Sequence, residues 1–125
     1  EWIFHGIKEN KIGNLGFSGG GAAGFELDRA DKFLGTPENC SILASSEGHD
    51  NDYVLVPEEH LTHITTLPGE PLETLLRADM VYFQNDKGGK VFSVGSITFC
   101  GSLPYNNFKN NISTLLKNIL NNFLN

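Results

Sequence analysis

The glycine-rich stretch Gly16–Arg29 constrains this chain more than any other. It reads Gly-Phe-Ser-Gly-Gly-Gly-Ala-Ala-Gly-Phe-Glu-Leu-Asp-Arg, with five glycines and two alanines among its first nine residues. Residues without bulk let the backbone approach another backbone or a ligand closely, and glycine alone reaches positive φ freely. Because the run ends in charged residues rather than in the Gly/Ser alternation of a linker, it predicts a tight, buried turn that presents Glu26 to a cavity.

Two interpretations of the charged end of this stretch stay open. In one, Glu26 performs acid–base chemistry, because a carboxylate between Phe25 and Leu27 and behind a run of glycines is partly desolvated. In the other, the stretch is a tight loop on which Asp28 and Arg29 form a surface ion pair. In an extended chain, alternation places Glu26 and Asp28 on the side opposite their apolar neighbours.

Composition bounds the class of protein. The 125 residues suffice for one domain that buries roughly two thirds of its unfolded surface. The net charge of −6, with scattered cations, disfavours nucleic acid or an anionic membrane as a partner, and no apolar run approaches the ~18 residues of a membrane span. Cys40 and Cys100 are expected to be free thiols in a reducing, cytoplasmic compartment.

The chain begins at Glu1 and continues at once with Trp2-Ile3-Phe4. So apolar a start predicts a short strand or a segment docked on another element. Because such residues belong in the interior of a fold, we expect the chain to be a piece of a longer polypeptide.

Local signals predict several elements. The runs 78–84 and 90–95 flank a five-residue loop with paired glycines, which predicts a β-hairpin. The run 40–45 predicts a buried strand, and Gly35 predicts the end of a short helical turn. From Asn106 onward, apolar residues at steps of three or four predict an amphipathic helix that packs on a sheet, which favours an α/β fold.

Two ligand-binding motifs are matched only in part. Gly19, Gly21 and Gly24 fit the dinucleotide pattern Gly-x-Gly-x-x-Gly, but Phe-Glu-Leu-Asp-Arg is a poor helix opening and no suitable acid follows. Tyr53–Val56 predicts a strand, and a helix is predicted to begin after it at Pro57. His60 and His63 lie three residues apart on that helix, a spacing that zinc sites use. Without a His-Glu-x-x-His motif, an exposed polar face explains that spacing equally well, so we favour neither cofactor nor metal.

A thiol nucleophile is also disfavoured. Cys100 follows a strand-like run as in a nucleophile elbow, but Thr98 and Ser102 occupy the positions where that motif requires glycine. A buried structural cysteine is the favoured interpretation.

Ordered blocks of sequence are more specific than any of these motifs. They run in the order 19–29, 34–37, 43–49, 77–83, 89–97 and 110–111. Their residues and spacing, across nearly the whole chain, resemble the C-terminal domain of the large subunit in the N,N-dimethylformamidase family.

The resemblance implies a fold and an activity. The implied fold is an open, mostly parallel α/β sheet with flanking helices, like class I glutamine amidotransferases and flavodoxin, with residues 1–125 forming a single C-terminal domain or a fragment of a larger chain. The implied activity is hydrolysis of a small N-substituted amide to an acid and an amine by an iron-activated water. The iron is implied to be held by two tyrosines and a glutamate outside this segment, so no metal ligand is expected within it.

The resemblance also implies roles for individual residues. Glu26 matches an acid of the family's glycine-rich motif and is expected to orient or deprotonate the iron-bound water. Residues expected to line or support the substrate pocket are Gly20, Gly21, Asp28, Arg29, Ser96 and Phe99. The family usually shows tryptophan at the position of Phe99, and a His-Asn pair where this chain has Pro104-Tyr105-Asn106.

The implied partners are the upstream remainder of the same polypeptide, a small subunit, further copies of the protein and a small amide substrate. A rival hypothesis from a different class treats the chain as a non-catalytic packing or oligomerisation module that completes a larger fold. A third hypothesis, a free-standing thiol hydrolase, would depend on Cys100.

Overall fold

A computed structural model describes residues 2–18, 20–49, 53 and 75–125 of the chain. These residues form two compact units. Unit 1 comprises Glu1–Glu26 and Ser96–Asn125, and unit 2 comprises Leu27–Gly95. The strand predicted at Tyr53–Val56, the helix predicted from Pro57 with its two histidines, and Gly19 fall wholly or mainly outside the described residues.

Unit 2 contains an open three-stranded sheet. Its strands are β1 (Ser41–Ser46), β2 (Ala78–Gln84) and β3 (Lys90–Ser93), in the order β1-β2-β3. Both pairs are antiparallel, so the expectation of a mostly parallel sheet is wrong for these strands. The loop between β2 and β3 is far shorter than the crossover that a parallel pair requires, and this length enforces the antiparallel arrangement.

The predicted hairpin is confirmed. Tyr82 of β2 lies opposite Phe92 of β3, and the loop between the strands is closed by Asn85, whose side-chain oxygen accepts hydrogen bonds from the backbone N–H groups of Lys87 at 3.0 Å and Gly89 at 2.7 Å. An asparagine that satisfies backbone donors in this way replaces the ladder bonds that the turn lacks. The hairpin therefore owes its position to local chemistry.

Strand β1 is less buried than predicted. It lies at an edge of the sheet, and Ile42 is 52% exposed. A register shift between Ile42 and Ala44 interrupts its pairing with β2. Its sequence, Ser-Ile-Leu-Ala-Ser-Ser, is rich in small polar side chains that gain little from burial.

The short helical turn before Gly35 is confirmed. It is a 3-10 turn at Lys32–Leu34, and the side chain of Asp31 caps it by accepting a hydrogen bond from Phe33 N–H. Gly35 ends the turn with φ +98°, a left-handed conformation that glycine adopts without steric cost.

Unit 1 is organised around a C-terminal helix. The helices are α1 (Phe99–Ser102) and α2 (Asn111–Leu124), and a 3-10 turn at Trp2–Phe4 packs against α2 where a strand or docked segment was expected. The side-chain amide of Asn118 on α2 donates to the backbone oxygens of Ile3 and His5. No helix in the described part of the chain is long and apolar enough to cross a membrane.

Helix α2 starts later than predicted. It begins at Asn111 rather than at Asn106, because Asn106, Asn107 and Phe108 all have positive φ values, between 54° and 61°. Asparagine tolerates this left-handed region better than most residues. Asn110 then caps α2 through its side-chain oxygen, which accepts from Ser113 N–H at 2.9 Å, and its amide nitrogen contacts three backbone oxygens of the preceding turn.

The core of unit 1 should be sensitive to truncation on one face of α2 only. Leu115 is fully buried, so Leu115→Ala should lower the free energy of unfolding by about 2–5 kcal/mol through lost burial and a residual cavity. Leu120 on the same helix is half exposed, and Leu120→Ala should cost no more than about 0.5 kcal/mol. Urea unfolding of the two variants measures both values, and equal losses would contradict this packing.

Candidate functional site

The backbone of Glu26 is in an unfavourable conformation. Its φ is +54°, in the left-handed region that glycine, but not glutamate, adopts readily. For an L-residue with a Cβ atom, this region costs about 1–2 kcal/mol. Strained residues of this kind persist only where their surroundings fix them, and they are concentrated at active sites and ligand clamps.

The hydroxyl of Ser96 fixes the backbone immediately before Glu26. Ser96 Oγ donates to the carbonyl oxygen of Phe25 at 2.7 Å and lies 3.3 Å from Gly24 N and 3.4 Å from Phe25 N. The backbone N–H of Ile97 donates to the same Phe25 oxygen at 3.3 Å. Ser96 is buried, so no bulk water competes for these bonds. Ser96 therefore restrains the backbone of Gly24 and Phe25.

The described part of the glycine run forms the predicted tight turn, but not a wholly buried one, since Gly20 is exposed. Gly21 is buried, and a Cβ atom there would lie 2.6 Å from the backbone oxygen of Gly13, which also accepts from Ala22 N–H at 2.7 Å. Gly20 serves a different purpose, since its φ is +76° and nothing lies within 4 Å of a Cβ placed on it. One glycine therefore permits close approach, and the other permits the turn.

The side chain of Glu26 is less shielded than predicted. Glu26 is exposed, and Phe25 beside it is 63% exposed. The partial desolvation inferred from the flanking apolar residues is therefore not provided by the described residues.

Two other predicted residues in unit 1 have clear positions. Phe99, expected at a pocket, is buried in α1 with 2% of its surface exposed, so it belongs to the core. Cys100 is exposed, which overturns the interpretation of a buried structural thiol. Cys100 and Cys40 are both free of disulfide bonds, as predicted.

In unit 2, a buried carboxylate holds the segment that follows Glu26. One oxygen of Asp79 on β2 accepts from Ala30 N–H at 2.8 Å and from Arg77 Nε at 3.0 Å, and the other accepts from Ser45 Oγ at 2.6 Å. Arg77 also donates to the carbonyl oxygen of Ala30 at 2.9 Å. Buried charges require such pairing, because an uncompensated one is strongly destabilising.

Asp28 and Arg29 line a cavity of about 160 Å³ in unit 2. Asp28 is held by its backbone, which bonds to Gly95 and to Asp79. Arg29 forms an ion pair with Asp31 at 3.4 Å, with side chains 9% and 8% exposed. This pair is withdrawn from solvent, unlike the surface pair that one interpretation of the sequence predicted.

The cavity in unit 2 is lined by both polar and apolar side chains. Its walls include Asp79, Val81 and Phe83, which project from the same face of β2, together with Thr36 and Cys40. Burial raises the pKa of the Cys40 thiol, and the carboxylate of Asp79 raises it further. Cys40 is therefore a weaker nucleophile at neutral pH than an ordinary exposed thiol.

The described residues bring together no group of three or more His, Cys, Asp or Glu side chains that could hold a metal ion.

Sequence reasoning missed the cluster around Asp79. A usable signal was present, since an acidic residue inside the run Ala-Asp-Met-Val-Tyr-Phe must either face solvent or find buried partners. The partners could not be identified, because Ala30 and Ser45 lie 49 and 34 residues away.

Comparison with known proteins identifies the family. A family model described as "N,N-dimethylformamidase beta subunit-like, C-terminal" matches residues 1–111. The chain belongs to this family. It is 44% identical to an N,N-dimethylformamidase beta subunit from an Alcaligenes species and 43% identical to one from Paracoccus aminophilus. Each alignment covers 98% of this chain but only 16% of the relative, so the chain spans about a sixth of the length of these proteins.

Membership of this family confirms the resemblance drawn from the ordered sequence blocks. The relatives that it aligns with are named as beta subunits of N,N-dimethylformamidase. Because most of their length lies outside the aligned segment, their activity is carried to this chain only as a proposal.

Gly95 should be among the least replaceable residues of unit 2. Its φ is +73°, and a Cβ atom there would lie 2.6–2.9 Å from the backbone of Asp79. Gly95→Ala should lower the free energy of unfolding by about 2–5 kcal/mol, from backbone strain and overpacking together. Gly48 has the same φ with nothing within 4 Å of its Cβ position, so Gly48→Ala should cost only about 1–2 kcal/mol. Urea unfolding of both variants separates the cost of the clash with Asp79 from the cost of positive φ. Equal losses of stability would contradict the close contact between Gly95 and the backbone of Asp79.

Replacing Glu26 by glycine should stabilise the protein. Glu26→Gly removes the cost of positive φ at an exposed position and should raise the free energy of unfolding by about 1 kcal/mol. Glu47 is also exposed and has no positive φ, so Glu47→Gly should be neutral or destabilising because glycine loses more backbone entropy on folding. Thermal or urea unfolding compares the two, and a loss of stability on Glu26→Gly would argue against strain.

Proposed function

We propose that this chain is the C-terminal part of an amide hydrolase that cleaves a small N-substituted amide to an acid and an amine. The proposal is supported by the alignment of nearly the whole chain with subunits named for N,N-dimethylformamide hydrolysis. The residue that we assign to the chemistry is Glu26. The observation that carries this assignment is its positive φ, two residues after Gly24, the last glycine of the glycine-rich stretch.

A glutamate at this position needs an explanation that folding does not supply. Glycine would satisfy the same backbone without strain, and the side chain of Glu26 is exposed in unit 1, so it contributes little burial in return. Glu26 therefore destabilises the fold at a position where glycine would not. We explain its presence by a chemical role of its carboxylate. Trade-offs of this kind between stability and activity recur at functional sites.

Amide hydrolysis gives a carboxylate two tasks. A water molecule that attacks the amide carbon must lose a proton, and the departing nitrogen must gain one before the amine leaves. A single carboxyl group can accept the first proton and donate it in the second step. We assign both transfers to Glu26, whose position is set by the hydrogen bonds to Phe25 and Gly24 described above.

The rest of the active site is proposed to come from outside these residues. The exposure of Glu26 leaves space for walls that the upstream remainder of the polypeptide would supply. The iron implied by the family resemblance would likewise be held there, where it would polarise the amide or activate water. A small subunit and further copies of the protein are proposed as partners on the same basis.

The two units are proposed to belong to a larger cytoplasmic α/β domain of the glutamine amidotransferase type. The open sheet of unit 2 and the amphipathic helix of unit 1 are consistent with such a domain. The antiparallel strands described here would then form one part of its sheet.

A non-catalytic packing module is the second candidate, and exposed apolar side chains favour it. Phe17, Phe33 and Phe108 are each at least 66% exposed, and Leu124 is 85% exposed. Side chains of this size gain about 1.5–3 kcal/mol each when they are removed from water, so they suit surfaces that another part of a protein covers. A packing role alone does not account for the strain at Glu26.

The proposal predicts a large loss of turnover on removal of one charge. In the complete polypeptide, Glu26→Gln keeps the size of the side chain but cannot accept a proton. It should lower kcat for N,N-dimethylformamide by about 10²–10⁴-fold, the usual contribution of a general acid–base group. Release of dimethylamine measures turnover, and metal analysis of the same samples checks that iron content is unchanged.

Glu47→Gln is the matched control, since Glu47 is an exposed glutamate without positive φ. It should retain the turnover of the parent protein. Full activity of the Glu26→Gln protein would eliminate the catalytic assignment and leave the packing role.

A further inference from the structure

We propose that Ser96 is a positioning residue that aims the carboxylate of Glu26, and that it acts through the backbone of Gly24 and Phe25. The inference rests on the proposed function, in which Glu26 transfers protons during amide hydrolysis. It extends that function by naming the group on which the orientation of the carboxylate depends. Ser96 itself contacts no substrate in this proposal.

One hydroxyl contacts three consecutive peptide groups. Gly24 N belongs to the peptide that joins residues 23 and 24, and Phe25 N belongs to the next peptide. The oxygen of Phe25 belongs to the peptide that leads into Glu26. All three atoms lie within 3.4 Å of Ser96 Oγ. Because each peptide is a rigid plane, contacts to three successive planes leave the chain little freedom before it reaches Glu26.

The proton inventory shows which of these bonds is strongest. Ser96 has one hydroxyl proton, and its shortest contact, 2.7 Å to the oxygen of Phe25, uses that proton. The hydroxyl of Thr98, 3.2 Å away, must then be the donor in its bond with Ser96. The two lone pairs of Ser96 are then shared among three donors, the Thr98 hydroxyl and the N–H groups of Gly24 and Phe25, which is consistent with their longer distances of 3.2–3.4 Å. Both hydroxyls are buried.

The direction of the Phe25 carbonyl sets the geometry of Glu26. This carbonyl and the N–H of Glu26 lie in one plane, and φ of Glu26 describes rotation about the bond that leaves that plane. Ser96 Oγ and Ile97 N hold the carbonyl from two sides, at 2.7 and 3.3 Å. Without the hydroxyl, only the longer bond from Ile97 N holds the carbonyl, so the peptide can rotate toward an unstrained conformation and the carboxylate moves with it. A displacement of about 1 Å at a reacting group can cost 10²-fold in rate.

A double-mutant cycle in the complete polypeptide tests the inference, with N,N-dimethylformamide as the substrate. Ser96→Ala should lower kcat by about 10–100-fold while KM stays within about threefold, because proton transfer rather than binding is misaligned. In a Glu26→Gln background the same substitution should produce no further loss, since both changes disable one group. Ser96→Thr, which keeps the hydroxyl, should recover most of the activity.

Ser102→Ala is the matched control for removing a buried hydroxyl from unit 1. Ser102 is 1% exposed, and its Oγ has no hydrogen-bond partner among the described residues, so the substitution should leave kcat unchanged. Equal fold-losses from Ser96→Ala in both backgrounds would overturn the inference, because a merely structural effect does not depend on the carboxylate. So would a Ser96→Thr protein that is no more active than Ser96→Ala.

The outcome of this test is separable from that of the proposed function. If Glu26→Gln alone leaves turnover intact, the proposed function fails, and the positioning role is then decided by a crystal structure of the Ser96→Ala protein. A Phe25 carbonyl that keeps its direction, with φ of Glu26 still near +54°, would overturn the inference in that structure. A rotated peptide would support it. Should Ser96→Ala prove insoluble, Ser96→Cys removes the strong donor while it retains a side chain of similar shape, and the same criteria apply.

Discussion

The buried hydroxyl of Ser96 fixes the backbone that leads into Glu26. Ser96 Oγ lies within hydrogen-bonding distance of Gly24 and Phe25, and the next residue, Glu26, has a backbone conformation that its own side chain disfavours. A loop made of glycine and alanine has few side-chain atoms with which to hold itself in place, although Ala22 is buried. The hydroxyl supplies the missing constraint, and burial makes each of its bonds stronger than it would be in water. The conformation of the glycine-rich stretch before Glu26 therefore depends on Ser96, a residue about 70 positions later in the sequence.

Unit 2 uses a buried carboxylate in the same way. Asp79 gathers a backbone N–H, a guanidinium and a hydroxyl, and through Ala30 it ties an irregular segment to a strand. Neither Asp79 nor Ser96 is a large apolar residue, yet each determines the path of a loop that apolar packing could not specify. Polar anchors of this type are costly if any partner is missing, which is why they specify one arrangement rather than several.

Features of the fold that neighbouring residues determine could be predicted from the sequence, and features that depend on distant residues could not. The hairpin at 85–89 and the stop at Gly35 were predictable because turn residues act on their immediate neighbours. The family was predictable because ordered blocks retain their spacing. The start of α2 could not be predicted from the sequence, because the apolar periodicity extends into Asn106–Phe108, where the backbone is left-handed. The exposure of Glu26 and the partners of Asp79 depend on residues far away in the sequence, which no window of neighbouring residues contains.

The edge strand β1 has a practical consequence. Its six residues include no charge and no proline, the devices with which edge strands usually discourage contact between molecules. The register shift near Ile42 interrupts the ladder but leaves an uncharged, half-exposed segment that pairs with no strand on its outer side among the described residues. When this segment is prepared on its own, self-association through β1 is the aggregation route to guard against, and a lysine on its exposed face is the natural solubilising change.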